Sequence, residues 1–141
     1  MRARQAALIL AAAGLAAPLP GPASAQAMRV GDLGLVSSHT ACLETAERVL
    51  AGYIAEFGGL ATSGDTANPR EWAIYGWGLR PGMNDVVITC PTVLGHTNAF
   101  FTVHASGGDA AGDATGDAAG DAAADADAVA ERIRALWRRL Y

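Results

Sequence analysis

Two cysteines and two histidines stand at spacings that would permit metal or nucleophile chemistry. His39 precedes Cys42 in an H-x-x-C arrangement, and His96 follows Cys90 with five residues between them. Thiolate and imidazole are the ligands of tetrahedral zinc sites, although neither spacing matches a common zinc finger. A cysteine beside a histidine is also the arrangement of a thiol nucleophile. A disulfide between Cys42 and Cys90 would remove both thiolates, so the redox compartment decides between these fates.

Residues 1–25 have the features of a secretory signal peptide. Arg2 and Arg4 make a positive start, residues 6–17 are apolar but too short to span a bilayer, and residues 23–25 (Ala-Ser-Ala) suit a signal peptidase. The mature chain is therefore predicted to begin at Gln26 and to be periplasmic or secreted. In such a compartment the cysteine pair of a small domain forms a disulfide, so we predict a bond between Cys42 and Cys90.

Motifs of established catalytic or cofactor chemistry are missing from the sequence. There is no C-x-x-C redox pair, no C-x-x-C-H haem attachment, no H-E-x-x-H and no nucleophile elbow. The sequence thus predicts a non-catalytic protein without a cofactor. Two alternatives stay open, which are a metal-binding protein that uses His39 and His96 and, least favoured, a small hydrolytic enzyme.

Aromatic residues mark a candidate binding surface. Residues 71–79 (EWAIYGWGL) alternate as a strand does, which places Tyr75 and Trp77 on one face and Trp72 and Ile74 on the other. If Ile74 packs under a helix, Tyr75 and Trp77 form a platform for a sugar ring, a peptide or a protein partner. The favoured alternative is that a terminal helix or a second copy of the chain covers them.

The histidines have different settings. His39 and His96 lie in predicted loops beside the two cysteines and would become neighbours through the disulfide, so we include both as candidate binding residues. His104 lies in a predicted strand with Phe100 and Thr102 on the same face. It is predicted to be a half-buried or surface side chain.

Charge excludes nucleic acid as the main partner. Of the ten arginines two lie in the signal peptide, so the mature chain carries eight against fourteen acidic residues, a net charge of −6 without any lysine. No part of the predicted domain is basic enough to hold a phosphate backbone. An exported protein of this kind is predicted to meet an envelope protein or a glycan, while its oligomeric state is left open.

Removing 25 of the 141 residues leaves 116, which is enough for one small domain. Residues 107–127 repeat the tetrad Gly-Asp-Ala-x and contain no large side chain, so they are predicted to be a disordered linker. The folded domain is then predicted to comprise residues 26–106, with residues 128–141 as a separate helical tail.

The clearest predicted element is a helix over residues 41–57. Its apolar residues recur every three to four positions, Thr40 is a suitable N-cap, and two glycines at 58–59 suit the C-cap. The best strand is residues 85–90, and it pairs as a hairpin with residues 71–79 across a Pro81-Gly82 turn. Residues 99–105 predict a third strand, and residues 28–36 and 60–62 predict weaker ones.

These elements predict an α+β domain in which one helix packs on a three- to four-stranded antiparallel sheet. The tail, residues 128–141, is amphipathic, with arginines opposite an apolar stripe that includes Trp137. We expect it to dock on the sheet face that carries Tyr75 and Trp77. Contact with an anionic membrane surface is the less favoured alternative.

The order of elements, with one cysteine opening the first helix and the other closing a central strand, resembles that of small exported bacterial domains. The resemblance covers residues 26–106 and depends on architecture and on the placement of Cys42 and Cys90. It carries no catalytic motif and therefore implies no particular activity.

Overall fold

The computed structural model describes residues 27–63, 73–105 and 118–141. These residues form one antiparallel sheet with two helices, an α+β arrangement. The predicted signal peptide and residues 107–117 of the Gly-Asp-Ala repeat lie outside the described residues, as does Trp72.

The sheet has six strands, more than the three to four expected. They are β1 Ala27–Val36, β2 Ala61–Ser63, β3 Ala73–Leu79, β4 Asn84–Thr89, β5 Thr92–Val93 and β6 His96–Ala105. Their order is β1-β6-β4-β3-β2, with the short β5 also paired to β6, and all pairings are antiparallel. The expected number of strands was too small because the long edge strand β1 and the two-residue β5 have weak local sequence signals.

The register divides the sheet into two unlike faces. One row of neighbouring residues crosses the strands β1, β6, β4 and β3, and all of its members are buried. In that order they are Gly31, Phe101, Ile88 and Ile74. We call this side the inner face. Because side chains alternate along a strand, the neighbouring row points the other way.

The second face, here called the open face, begins with the row Val30, Thr102, Val87 and Tyr75. None of these four residues is buried. The alternation predicted for residues 71–79 and 99–105 is thus confirmed over the described residues.

Helix α1, His39–Phe57, begins two residues earlier than predicted. Ser38 is the N-cap instead of Thr40, and its hydroxyl accepts a hydrogen bond from the backbone N–H of Ala41 at 3.1 Å. Gly58 follows the helix with a φ of 90°, which favours glycine. The residues of α1 that the inner face buries are Cys42, Leu43, Thr45, Ala46, Val49, Leu50 and Tyr53.

Helix α2, Ala118–Leu140, begins ten residues before the predicted tail. The assignment of residues 118–127 to a disordered linker is therefore wrong. Alanine has the highest helix propensity of the amino acids, and this stretch has a single glycine, Gly120. Tertiary contacts stabilise it as well, since Ala126 is completely buried and the Asp127 carboxylate forms an ion pair with Arg29 of β1.

Both helices pack on the inner face. The guanidinium of Arg134 in α2 lies 5.0 Å from the centre of the Phe101 ring, and Trp137 is only 3 % exposed. The expectation that Trp137 docks over Tyr75 and Trp77 is wrong, because α2 lies beside α1 on the opposite side of the sheet. The broader expectation that the tail packs on its own domain is confirmed.

Polar contacts tie α2 to its neighbours. The Tyr53 hydroxyl donates to the carbonyl oxygen of Arg80 at 2.7 Å, and Arg132 of α2 donates to the same carbonyl at 3.3 Å. At the chain end, the hydroxyl of Tyr141 accepts a hydrogen bond from the N–H of Ser37 at 2.9 Å. Each contact joins residues distant in sequence, so α2 is an integral part of the domain.

Cys42 and Cys90 form a disulfide, as predicted, with their Cα atoms 6.0 Å apart. The bond joins the first turn of α1 to the residue that follows β4, and both cysteines are completely buried. It thereby links helix to sheet. Within the described part of the chain, neither helix combines the length and the apolarity needed to cross a bilayer.

Candidate functional site

The open face carries apolar side chains that neither helix covers. At the β1 edge Met28 is 55 % exposed and Val30 is 61 % exposed, and on β3 Tyr75 and Trp77 are 39 % and 41 % exposed. Single exposed apolar residues are normal on a protein surface, whereas several on one sheet face indicate a contact surface.

Tyr75 and Trp77 form an ordered pair on this face. Their ring centres lie 5.6 Å apart with an angle of 6° between the ring planes, which is offset stacking. The indole N–H of Trp77 donates to the hydroxyl oxygen of Ser63 on β2 at 2.7 Å. Stacking and this hydrogen bond orient both rings before any partner arrives, which lowers the conformational entropy lost on binding.

Local sequence explains why the aromatic residues point away from the helices. Gly76, between Tyr75 and Trp77, faces α1, and a Cβ there would lie 3.1 Å from a methyl carbon of Leu50. The small residue lets α1 approach the sheet closely. After the pair, Gly78 adopts a φ of 60°, and its N–H donates to the Asp85 carboxylate at 3.0 Å. This fixes the end of β3.

A pocket of about 450 Å³ opens at the β1–β6 side of the sheet. It is lined by Asp32, Gly34, Leu35, Pro91, Val93, His96, Asn98 and Phe100. Its size falls within the range of small-molecule pockets. Because Phe100 lies opposite Asp32 in the register and is two residues from Thr102, the pocket continues the open face.

Asp32 is a polar group of the pocket that is fixed by two hydrogen bonds. Its Oδ1 accepts hydrogen bonds from the N–H of Gly34 at 2.7 Å and from the side-chain amide of Asn98 at 3.2 Å. The first bond spans the β-bulge at which the β1–β6 register shifts between Asp32 and Gly34. Bulges re-aim side chains, and here the bulge lies at the pocket wall.

The charge of the open face is acidic to neutral. Within the six described strands Arg29 is the one arginine or lysine, and its side chain forms an ion pair with Asp127 of α2. This contact lowers the pKa of the Asp127 carboxyl, chiefly through the hydrogen bond from Arg29. Asp85 and His104 face each other across β4 and β6. The described part of the face therefore offers no arginine or lysine to a polyanion.

The four residues predicted to bind occupy three places. Tyr75 and Trp77 lie together on the open face, and His96 lines the pocket. His39, the first residue of α1, does not line that pocket, and its Nε2 is buried without a hydrogen-bond partner in the described structure.

The structure limits which residues could bind a metal ion. The disulfide consumes both thiols, so a zinc site with cysteine ligands and a cysteine nucleophile are both excluded in this structure. Among the described residues, no group of three or more His, Cys, Asp or Glu side chains is placed to hold a metal ion.

Sequence reasoning missed Asp32, Asn98 and Phe100 as possible site residues. They come together through the antiparallel pairing of β1 with β6, whose partners are more than sixty positions apart in the chain. One local signal was available, because a glycine inside a strand pattern, here Gly34, suggests a bulge.

Comparison of the chain with known protein families, with characterised proteins and with solved structures finds no match. The geometry of the open face is therefore the basis for a functional argument.

Proposed function

We propose that the protein is an exported, non-catalytic binding module of a bacterial envelope, which holds its partner on the open face. The observation that carries the proposal is the Tyr75–Trp77 pair, two aromatic side chains stacked, oriented by Ser63 and about 40 % exposed. Aromatic side chains dominate the binding energy of many interfaces because they bury a large area at a low entropic cost.

Export is supported by two independent features. The first 25 residues have the charge, apolar run and small residues of a signal peptide. The Cys42–Cys90 disulfide is typical of proteins that fold in an oxidising compartment. Both agree with a partner found in the cell envelope or outside the cell.

The core lies on one face of the sheet only, and this supports a binding role for the other face. The inner face and both helices hold the buried core, including Leu50, Ile88, Phe101 and Ile133, and all four are completely buried. Substituting an open-face side chain therefore leaves the core intact. A surface that contributes little to stability and still carries large apolar groups suits a contact site.

Site-specific photocrosslinking in cells tests the proposal. A Tyr75→p-benzoylphenylalanine variant places a photoreactive ring on the open face, and its ketone abstracts hydrogen from protein and glycan partners alike. We expect ultraviolet light to yield a discrete adduct that Trp77→Ala abolishes. Removing the ring–ring contact between positions 75 and 77 should cost about 0.5–1.5 kcal/mol, so the doubly substituted protein still folds.

The matched control is an Arg48→p-benzoylphenylalanine variant, because Arg48 is exposed on α1, on the other side of the sheet from the open face. It should give no comparable adduct. Equal adducts from both positions, or none from Tyr75, would refute the proposed function.

A further inference from the structure

We propose that the ligand of the open face is a neutral, linear oligosaccharide, one ring of which occupies the Asp32–His96–Asn98 pocket while later rings reach Tyr75 and Trp77. This inference rests on the proposed function and names the ligand class. It assigns the pocket as a second part of the same site.

The pocket combines the two surfaces that a sugar ring needs. Phe100 and Pro91 supply apolar lining against which the C–H groups of a pyranose can pack, and Leu35 and Val93 are exposed on its walls. Asp32 supplies a carboxylate, which when ionised only accepts hydrogen bonds and so pairs with donating hydroxyl groups.

The carboxylate is held in place before a ligand binds. Asp32 Oδ1 accepts from Gly34 and Asn98, whereas its Oδ2 has no hydrogen bond to another described residue. Oδ2 is thus available to a ligand hydroxyl, and the bonds to Oδ1 restrict the rotation of the side chain. Hydrogen bonds to charged groups are about twice as strong as neutral ones, which makes this contact selective.

Charge rules out the acidic members of the ligand class. Asp32 and Asp85 point onto the open face, and its strands offer no unpaired arginine or lysine among the described residues. A uronic acid polymer, a phosphate backbone or an anionic lipid headgroup would be repelled. A neutral glycan has no such penalty.

The distance from the pocket to the aromatic pair requires a chain of rings. Phe100 lies on β6 and Tyr75 on β3, with β4 between them, and Tyr75 is one side-chain row further along. Two strand spacings of about 4.8 Å and one step of about 6.7 Å along the strand place the two Cα atoms roughly 12 Å apart. This span exceeds one sugar ring and fits a short linear oligosaccharide.

Isothermal titration calorimetry of the purified protein tests this inference. The probes are neutral oligomers of glucose, xylose, mannose and N-acetylglucosamine, each from the disaccharide to the hexasaccharide. We expect one series to bind with an affinity that rises with length and then levels off once both parts of the site are filled. Asp32→Asn should weaken binding of the longest oligomer about tenfold or more, since it removes the charge but keeps the acceptor for Gly34.

Trp77→Ala should weaken the longest oligomer about tenfold and the disaccharide much less, because the disaccharide occupies the pocket alone. Arg48→Ala, the control, changes an exposed residue of α1 on the other side of the sheet and should bind as the unchanged protein does. Melting temperatures of all three variants establish that they are folded.

Three results would overturn the inference in different ways. Unchanged affinity for Asp32→Asn would remove the pocket from the site and leave the proposed function in place. No heat with any oligosaccharide, together with a Tyr75 photoadduct that contains protein, would assign the face to a protein partner. Sedimentation of a dimer that Trp77→Ala dissociates would assign the face to a second copy of the chain.

Discussion

Breaking the Cys42–Cys90 bond should destabilise the domain mainly through its unfolded state. The two cysteines are separated by 48 positions, and for a loop of this length the chain-entropy treatment gives about 4 kcal/mol. Both residues are completely buried, so reduction in place changes no exposed surface of the folded protein. For a small domain this is a large part of the total stability.

Urea unfolding of the oxidised and the reduced protein measures the effect. With an m-value of about 1.5 kcal/mol/M, a loss of about 4 kcal/mol lowers the urea midpoint by about 2.7 M. Reduction should also raise the m-value, because an unlinked unfolded chain exposes more surface. A Cys42→Ala/Cys90→Ala variant serves as a second measurement. Alanine is chosen because serine would bury an unpartnered hydroxyl.

Equal urea midpoints for the oxidised and reduced protein would refute this reasoning. So would a large loss of stability in the double variant that reduction does not reproduce, since that would place the effect in packing of the folded state.

Three further predictions concern the core. Gly31→Ala should lower the free energy of unfolding in urea by about 1–3 kcal/mol, because its Cβ would lie 2.2 Å from the Phe101 ring. The control Gly52→Ala meets no neighbour and should stabilise α1 by up to about 1 kcal/mol. Equal effects of the two substitutions would contradict this prediction. Ile133→Ala should cost about 2–5 kcal/mol while Arg138→Ala costs little, and a neutral Ile133→Ala would mean that α2 does not pack on the domain. Burial raises the pKa of Tyr53, and Arg132 partly offsets this. The stability that Tyr53 contributes is therefore complete below its unfolded pKa of about 10 and is lost as pH rises through its folded value, so Tyr53→Phe should flatten the alkaline fall in melting temperature.

Elements with strong periodicity were predictable from the sequence. The apolar stripe of α1 and the alternation of residues 71–79 and 85–90 each reflect a buried face, and a buried face constrains residue type at every turn or every second residue. The same alternation correctly separated Ile74 from Tyr75 and Trp77. The disulfide followed from compartment and cysteine count.

Helix α2 shows where that reasoning fails. Its first ten residues are mostly alanine and aspartate, and such a stretch has no apolar periodicity to detect. Its helical state depends on high alanine propensity and on contacts at Ala126 and Asp127 that only the folded chain reveals. The docking side of Trp137 was equally undetermined, because an amphipathic stripe indicates burial but does not identify the surface that buries it.

The candidate site also has one part that could be predicted from the sequence and one part that could not. Tyr75 and Trp77 are two positions apart on one strand, so strand alternation was enough to place them together. The pocket depends on the register of β1 against β6 and on the bulge after Asp32, which are non-local properties. His39 and His96 were paired on the basis of the disulfide alone, and of these two His96 lines the pocket.

The most direct test of the open face as a binding surface is fluorine NMR of the protein labelled with 5-fluorotryptophan. The chain has three tryptophans, and Trp77→Phe and Trp137→Phe variants assign the resonances of Trp77 and Trp137 among the three. Because Trp77 is 41 % exposed and Trp137 is 3 % exposed, a soluble paramagnetic agent should broaden the Trp77 signal and spare that of Trp137. Adding cell-envelope material should then shift the Trp77 signal and protect it from broadening. A Trp77 signal that stays unchanged and accessible at saturating envelope material would contradict the account.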